Sequence, residues 1–200
     1  MKTILTGIIV TALLCGCGSD TVWKKQTFAF SAPTGPPAVN ASTDIIALHP
    51  VSVSPLFQNQ CFTYRIGDSS YEHDPYAAFL ASPEHTIGEA IGAYMRHSSA
   101  FGNVAEPGSG IVPNLIAEAR VNQLYGDFRS SLHPIGLMEI HFTIYEGADG
   151  LPVHPLLDKT YASETALSKK SPTALMTAWE TDLHEIMEKL SVDLGNTKSK

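Results

Sequence analysis

The chain has 200 residues, 44% of them hydrophobic, and a formal net charge of −7 from 20 acidic against 13 basic side chains. That balance excludes a protein that tracks nucleic-acid phosphates, and no local basic cluster offsets it. Beyond the first residues, no apolar run is long enough to cross a bilayer.

The predicted elements begin with an export signal. A lone Lys2, an apolar run over residues 4–14 and small residues at its end form a leader too short to span a membrane. Leu14-Cys15-Gly16-Cys17 resembles the bacterial lipobox, which makes Cys17 the lipidated first residue of the mature chain. Cys15 fits that role poorly, because Leu14 would then occupy the position that needs a small side chain. By the same resemblance, Gly18 in place of aspartate predicts release to the outer membrane, facing the periplasm. Removing residues 1–16 leaves about 184 residues with a charge of about −8, the size of one domain. Cys61 is then the remaining thiol besides the lipidated one, in an apolar stretch that suits a buried inert side chain, and no intrachain disulfide framework is possible.

Residues 17–25 read as the lipidated cysteine and a polar tether, able to hold a domain on the order of 20 Å from the membrane. The single periplasmic domain is expected over residues 26–195, with 196–200 a frayed tail. A first short strand over 27–31 precedes a loop forced by Pro33, Gly35, Pro36 and Pro37. Residues 45–53 are rich in β-branched side chains, with Pro50 marking an edge or a bulge. Residues 62–66 alternate apolar and polar positions as a strand does.

Ser82-Pro83 starts a helix, serine as its cap and proline at the first helical position. Ile87, Ile91, Tyr94 and Met95 share one face, and the helix is expected to end near Ser98 or Ser99. A short strand over 101–105 leads to a turn at Pro107-Gly108-Ser109-Gly110. Alternation at Leu115, Ala117, Ala119 and Val121, and again at Met138, Ile140, Phe142 and Ile144, predicts two further strands. Gly147, Asp149 and Gly150 end the second, and residues 156–161 make a third. Ser171-Pro172 opens a final helix whose stripe is Leu175, Trp179, Leu183, Ile186, Met187 and Leu190, with Gly195 as its stop. Strands mixed with two long helices predict an α+β two-layer domain: a mixed or mostly antiparallel sheet with both helices on one face.

No catalytic constellation stands out. Gly108-Ser109-Gly110 lacks the spacing of a nucleophile elbow. His184-Glu185 begins like a zinc-protease helix, but Glu188 stands where the second histidine belongs. Tyr71-Glu72-His73-Asp74 packs potential ligands together, yet such clusters are usually solvated loops and no second cluster matches it. The expectation is a protein that is not an enzyme and has neither metal nor cofactor.

Several segments in order resemble a known family, the auxiliary lipoproteins of ABC-type transport systems of the PqiC kind. They are the lipobox at Cys17, Val51-Ser52-Val53-Ser54-Pro55, Phe62-Thr63-Tyr64-Arg65, and Tyr76-Ala77-Ala78-Phe79-Leu80-Ala81-Ser82-Pro83 running into a helix. Phe101-Gly102-Asn103-Val104, Leu124-Tyr125-Gly126-Asp127-Phe128-Arg129 and the terminal helix complete the series. The chain departs from the family at Cys61-Phe62, where an aliphatic residue is common, and at Phe79, where tryptophan is. The resemblance implies a non-catalytic, outer-membrane-anchored subunit of an MCE-type lipid transport system. Its partners would be a periplasm-spanning, PqiB-like MCE-domain protein and, indirectly, an inner-membrane permease or ATPase, with self-association possible.

Tyr64, Arg65, Tyr125 and Asp127 sit in the aromatic-polar motifs at strand ends and are the candidate docking residues. Two readings of them stand side by side. In one they form a rim that captures a partner; in the other the aromatics finish the core and Asp127 satisfies backbone donors at a bend. The alternative to transport is an envelope assembly lipoprotein that binds a barrel, a secretin or peptidoglycan.

Overall fold

The computed structural model describes residues 24–31 and 42–198. The leader, Cys17, most of the tether and the expected proline loop lie outside them. Among the described residues, nine strands form one mixed sheet with two helices, as the α+β reading expected.

The strands are β1 (Gln26–Phe28), β2 (Ile45–Leu48), β3 (Ser52–Val53), β4 (Cys61–Arg65), β5 (Tyr71–Phe79), β6 (Asn103–Val104), β7 (Leu115–Asp127), β8 (Ile135–Ala148) and β9 (Leu151–Ala166). The helices are α1 (Pro83–His97) and α2 (Pro172–Lys198). β7 is the axis. On one side it pairs antiparallel with β8, and β8 with β9. On the other side it takes β2, β3 and β4 in succession, all parallel to it. β6 flanks β2, while β5 runs antiparallel to β4 and carries β1 at its edge.

The helices cover one face. Trp179 of α2 is fully buried and packs edge-on to Phe62 at 4.9 Å and stacked on Phe79 at 5.6 Å between ring centroids. Met138, Ile140, Phe142 and Ile144 of β8 point into the same core, beside Ala117, Ala119 and Val121 of β7. α1 meets α2 where Tyr94 contacts His184, 5.6 Å between centroids. Gly136 lets α2 approach, since a Cβ there would stand 2.8 Å from that of Ala178. Both helix starts follow the serine-proline rule: Ser82 Oγ accepts from His85 N, and Ser171 Oγ from Ala174 N.

A register shift between Val121 and Gln123 decides which side chains of β7 meet the helices. Up to Val121 the odd-numbered ones face them; past the bulge the even-numbered ones do, Leu124 and Gly126 among them. Tyr125 and Asp127 are thereby turned to the helix-free face.

The structure departs from expectation in several places. Tyr71-Glu72-His73-Asp74 is not a loop but the start of β5, whose Pro75 is tolerated at an irregularity in the β4–β5 pairing. There Asp74 Oδ1 accepts from the backbone of Tyr76 and Ala77. The stretch at 45–53 is broken at His49-Pro50 into two strands. β1 and β6 are shorter than expected, whereas β8 and β9 are longer. The length comes from the turn Asp149-Gly150, both residues at positive φ (53° and 79°), which lets the strands pair up to the tip. α2 runs through Gly195 to Lys198, so that glycine is not its stop.

Candidate functional site

Two ends of the sheet collect the candidate residues. At the first, which we call the corner, β4 and β7 stop side by side, with Arg65 beside Asp127 and Tyr71 of β5 opposite Arg65. Tyr125 stacks on Phe57 at 5.6 Å and meets Tyr71 edge-on at 5.7 Å. The Arg65 guanidinium lies 6.0 Å from the Tyr71 ring centre and donates to the carbonyls of Gly67 and Asp68 at 3.3 and 2.8 Å. Asp127 accepts Arg129 Nη2 at 2.7 Å and Nε at 3.0 Å, and also the Arg129 backbone N–H at 3.1 Å. The third nitrogen of that guanidinium reaches Asp68 at 3.0 Å.

This electrostatics is self-contained. Arg129 holds the Asp127 carboxyl below the usual carboxylate range. Burial pushes the Tyr125 hydroxyl up, while neighbouring Arg65 acts in the opposite sense. Tyr125 is 3% exposed and Asp127 8%, so neither offers itself to a partner. Tyr64 points to the helix face, stacked on Phe128 at 4.6 Å, and its hydroxyl donates to Asp74 at 2.6 Å. Burial first and that carboxylate second raise its pKa. The structure therefore brings Arg65, Tyr125 and Asp127 together, leaves Tyr64 on the other face, and binds all four internally. The residues sequence reasoning missed here are Phe57, Tyr71 and Asp68. Tyr71 lies inside the acidic motif at 71–74, but the sequence around Phe57 carries no comparable signal.

The opposite end is different. Beyond β7, the segment before Leu115 lies against the β8–β9 tip: Gly147 N donates to Asn114 O at 2.9 Å, and Gly147 and Ala148 pair with Pro152 and Leu151. Ile111, Val112, Leu151 and Val153 are all exposed there. A run of apolar residues beside a tight turn was the available signal.

Among the described residues, no three histidine, cysteine, aspartate or glutamate side chains are grouped to hold a metal. No helix among them is long and apolar enough to cross a membrane. His184 instead pairs with Glu188 one helical turn away, at 3.2 Å.

No family model and no curated protein matches the chain. Solved structures do. It is similar to a Xanthomonas campestris protein of the DUF330 family, at 13% identity over 87% of this chain and 99% of that one, with a TM-score of 0.72. A second protein, described only as uncharacterized, is 9% identical over 84% of this chain and 99% of its own, with a TM-score of 0.64. A looser likeness, with a TM-score of 0.38, is to a lipoprotein of Neisseria meningitidis, 9% identical over 72% of this chain and 99% of that one. With the first two, what is shared is the fold over nearly the whole of each solved chain.

Proposed function

We propose that this protein is a non-catalytic, lipid-anchored envelope subunit that docks the periplasmic component of an MCE-type lipid transport system at the outer membrane. Cys17 is its anchor. Each buried methylene of an acyl chain contributes about 0.8 kcal/mol, and several chains together make attachment effectively permanent. The folded domain then captures the far end of the MCE-domain partner, so that lipid tails pass between membranes without crossing water. Exposing apolar surface to water would cost about 25 cal/mol per Å².

The observation that carries a binding role is the group of exposed apolar side chains at the tip, Leu151 and Val153 on β9 with Ile111 and Val112 in the segment that leads into β7. Its surroundings are Glu146 and Asp149, and residues 106–115 and 146–155 contain neither lysine nor arginine. That chemistry suits a protein surface with an apolar centre and a basic rim, and it repels an anionic leaflet. The tip is therefore a better protein-docking surface than the motif Tyr125-Gly126-Asp127, where Tyr125 is buried and Asp127 is committed to Arg129.

Cross-linking in intact cells, followed by detergent purification of the tagged chain and mass spectrometry of partners and lipids, tests this reading. An MCE-domain protein is the expected product. A barrel, a secretin or a glycan in its place would contradict the transport role.

A further inference from the structure

We propose that the corner end of the sheet is a lipid-contact surface, which seats the domain on an anionic phospholipid leaflet and aims the β8–β9 tip away from it. The inference rests on the anchored-lipoprotein reading and adds an orientation to it. Three loops meet at this end: residues 66–70 after β4, 128–134 after β7 and 167–171 after β9. They are stitched into one surface. Arg129 of the second loop bonds Asp68 of the first at 3.0 Å, and Lys170 of the third donates to the Phe128 carbonyl at 2.7 Å. Leu167 N reaches Pro134 O at 2.8 Å.

The surface has the sign opposite to the rest of the chain. Arg65, Arg129, Lys169 and Lys170 gather here, against exposed Asp68 and Glu72 and a buried Asp127, with Arg129 bonded to both aspartates, in a protein of net charge −7. Amid these cations stand two uncovered apolar side chains, Leu132 at 84% and Ile66 at 44% exposure. Cations pair with headgroup phosphates while an apolar residue on a loop tip enters the headgroup layer, and the attraction grows with anionic lipid. A free phosphate would use the cations but not Leu132, so the chemistry selects a leaflet.

Where the chain enters agrees. β1 runs parallel to β5, which starts at the corner and leads away from it, so Lys24 and Lys25 approach β1 from the corner side. From Gln26 the hairpin tip is about 35 Å farther along the strands. The nine residues from Cys17 to Gln26 span about 30 Å at full extension, too little for the tip to stand end-on against the leaflet that holds Cys17.

The test uses the mature lipidated chain with a nitroxide at Leu132→Cys or Leu151→Cys, in a Cys61→Ser background, on vesicles of phosphatidylglycerol and phosphatidylcholine. Oxygen accessibility is expected to rise and accessibility to a water-soluble nickel relaxant to fall at position 132, with position 151 unchanged. Replacing phosphatidylglycerol by phosphatidylcholine alone, or introducing Lys169→Glu with Lys170→Glu, is expected to cut the contact about tenfold. The lipid exchange needs no substitution at the lysines and so cannot be confused with misfolding. A chain that floats with the vesicles while position 132 stays as water-accessible as 151 would overturn the proposal and leave the anchor standing. A chain that fails to float would overturn both.

Discussion

The corner and the hairpin tip terminate the same long strands, yet their side chains do opposite work. At the corner, Asp127 and Arg129 bond to each other and Arg65 bonds to loop carbonyls, beside the buried rings of Phe57 and Tyr125 and the exposed ring of Tyr71. At the tip, the backbone is satisfied by a tight turn and the apolar side chains of Val112 and Leu151 are left outward, 64% and 67% exposed. A cluster rich in recognisable chemistry can thus be scaffold, while a plain apolar turn is free to bind. Inward hydrogen bonding and burial separate the two cases; residue type does not.

That contrast can be broken by mutation, because scaffold residues should cost stability and contact residues only binding. The largest effect is expected for Tyr125→Ala, which empties the ring-lined site under the corner. It should lower stability by about 3 kcal/mol, readable in a denaturant midpoint. An unchanged midpoint would make Tyr125 a docking residue again.

Next in size is Asp182 of α2, on the helix side of the corner end, against Thr165 and Gly136. It is fully buried; its Oδ1 accepts from Thr165 at 2.6 Å and its Oδ2 has no hydrogen-bond partner. Burial pushes its pKa up to about 6, against the pull of Thr165 and Ser163 and with help from Glu185 and Glu164. Because the folded value is raised, the stability this carboxyl contributes is present below about pH 4 and lost as pH rises through about 6. Asp182→Asn should therefore stabilise the domain by about 2 kcal/mol at pH 8 and by little at pH 4. An equal effect at both pH values would show that Asp182 is not the group responsible.

Asp127→Ala should cost about 1–2 kcal/mol, since Arg129 loses its carboxylate and one backbone N–H its acceptor, while the freed guanidinium is left half-exposed and can hydrate. The smallest stability effect, within about 0.5 kcal/mol, is expected for Val112→Glu with Leu151→Glu. The same pair should abolish recovery of the MCE-domain partner. Loss of stability without loss of partner would invert the contrast between the ends.

Most of the fold was legible because its signals are local. Ser82-Pro83 and Ser171-Pro172 set the helix starts, and alternation at Met138–Ile140–Phe142–Ile144 set the face of β8. β5 was not legible: Pro75 and the acidic Tyr71–Asp74 stretch argue against a strand until β4 and β1 are there to pair with it. The candidate site was legible in composition and not in orientation. Arg65, Tyr125 and Asp127 do meet, but the bulge at residues 121–123 decides which way Tyr125 and Asp127 face, and β7's own alternation gives no sign of it. Gly195 lies within α2 although it has the form of a stop, since a glycine on an exposed helix face costs only about 1 kcal/mol against alanine.

The most direct test of the division between the two ends places a photo-reactive side chain at position 151 or at position 132 of the same lipidated chain in intact cells. An adduct to an MCE-domain protein is expected from 151 and an adduct to phospholipid from 132. The MCE-domain protein attached at 132, with nothing attached at 151, would contradict that division.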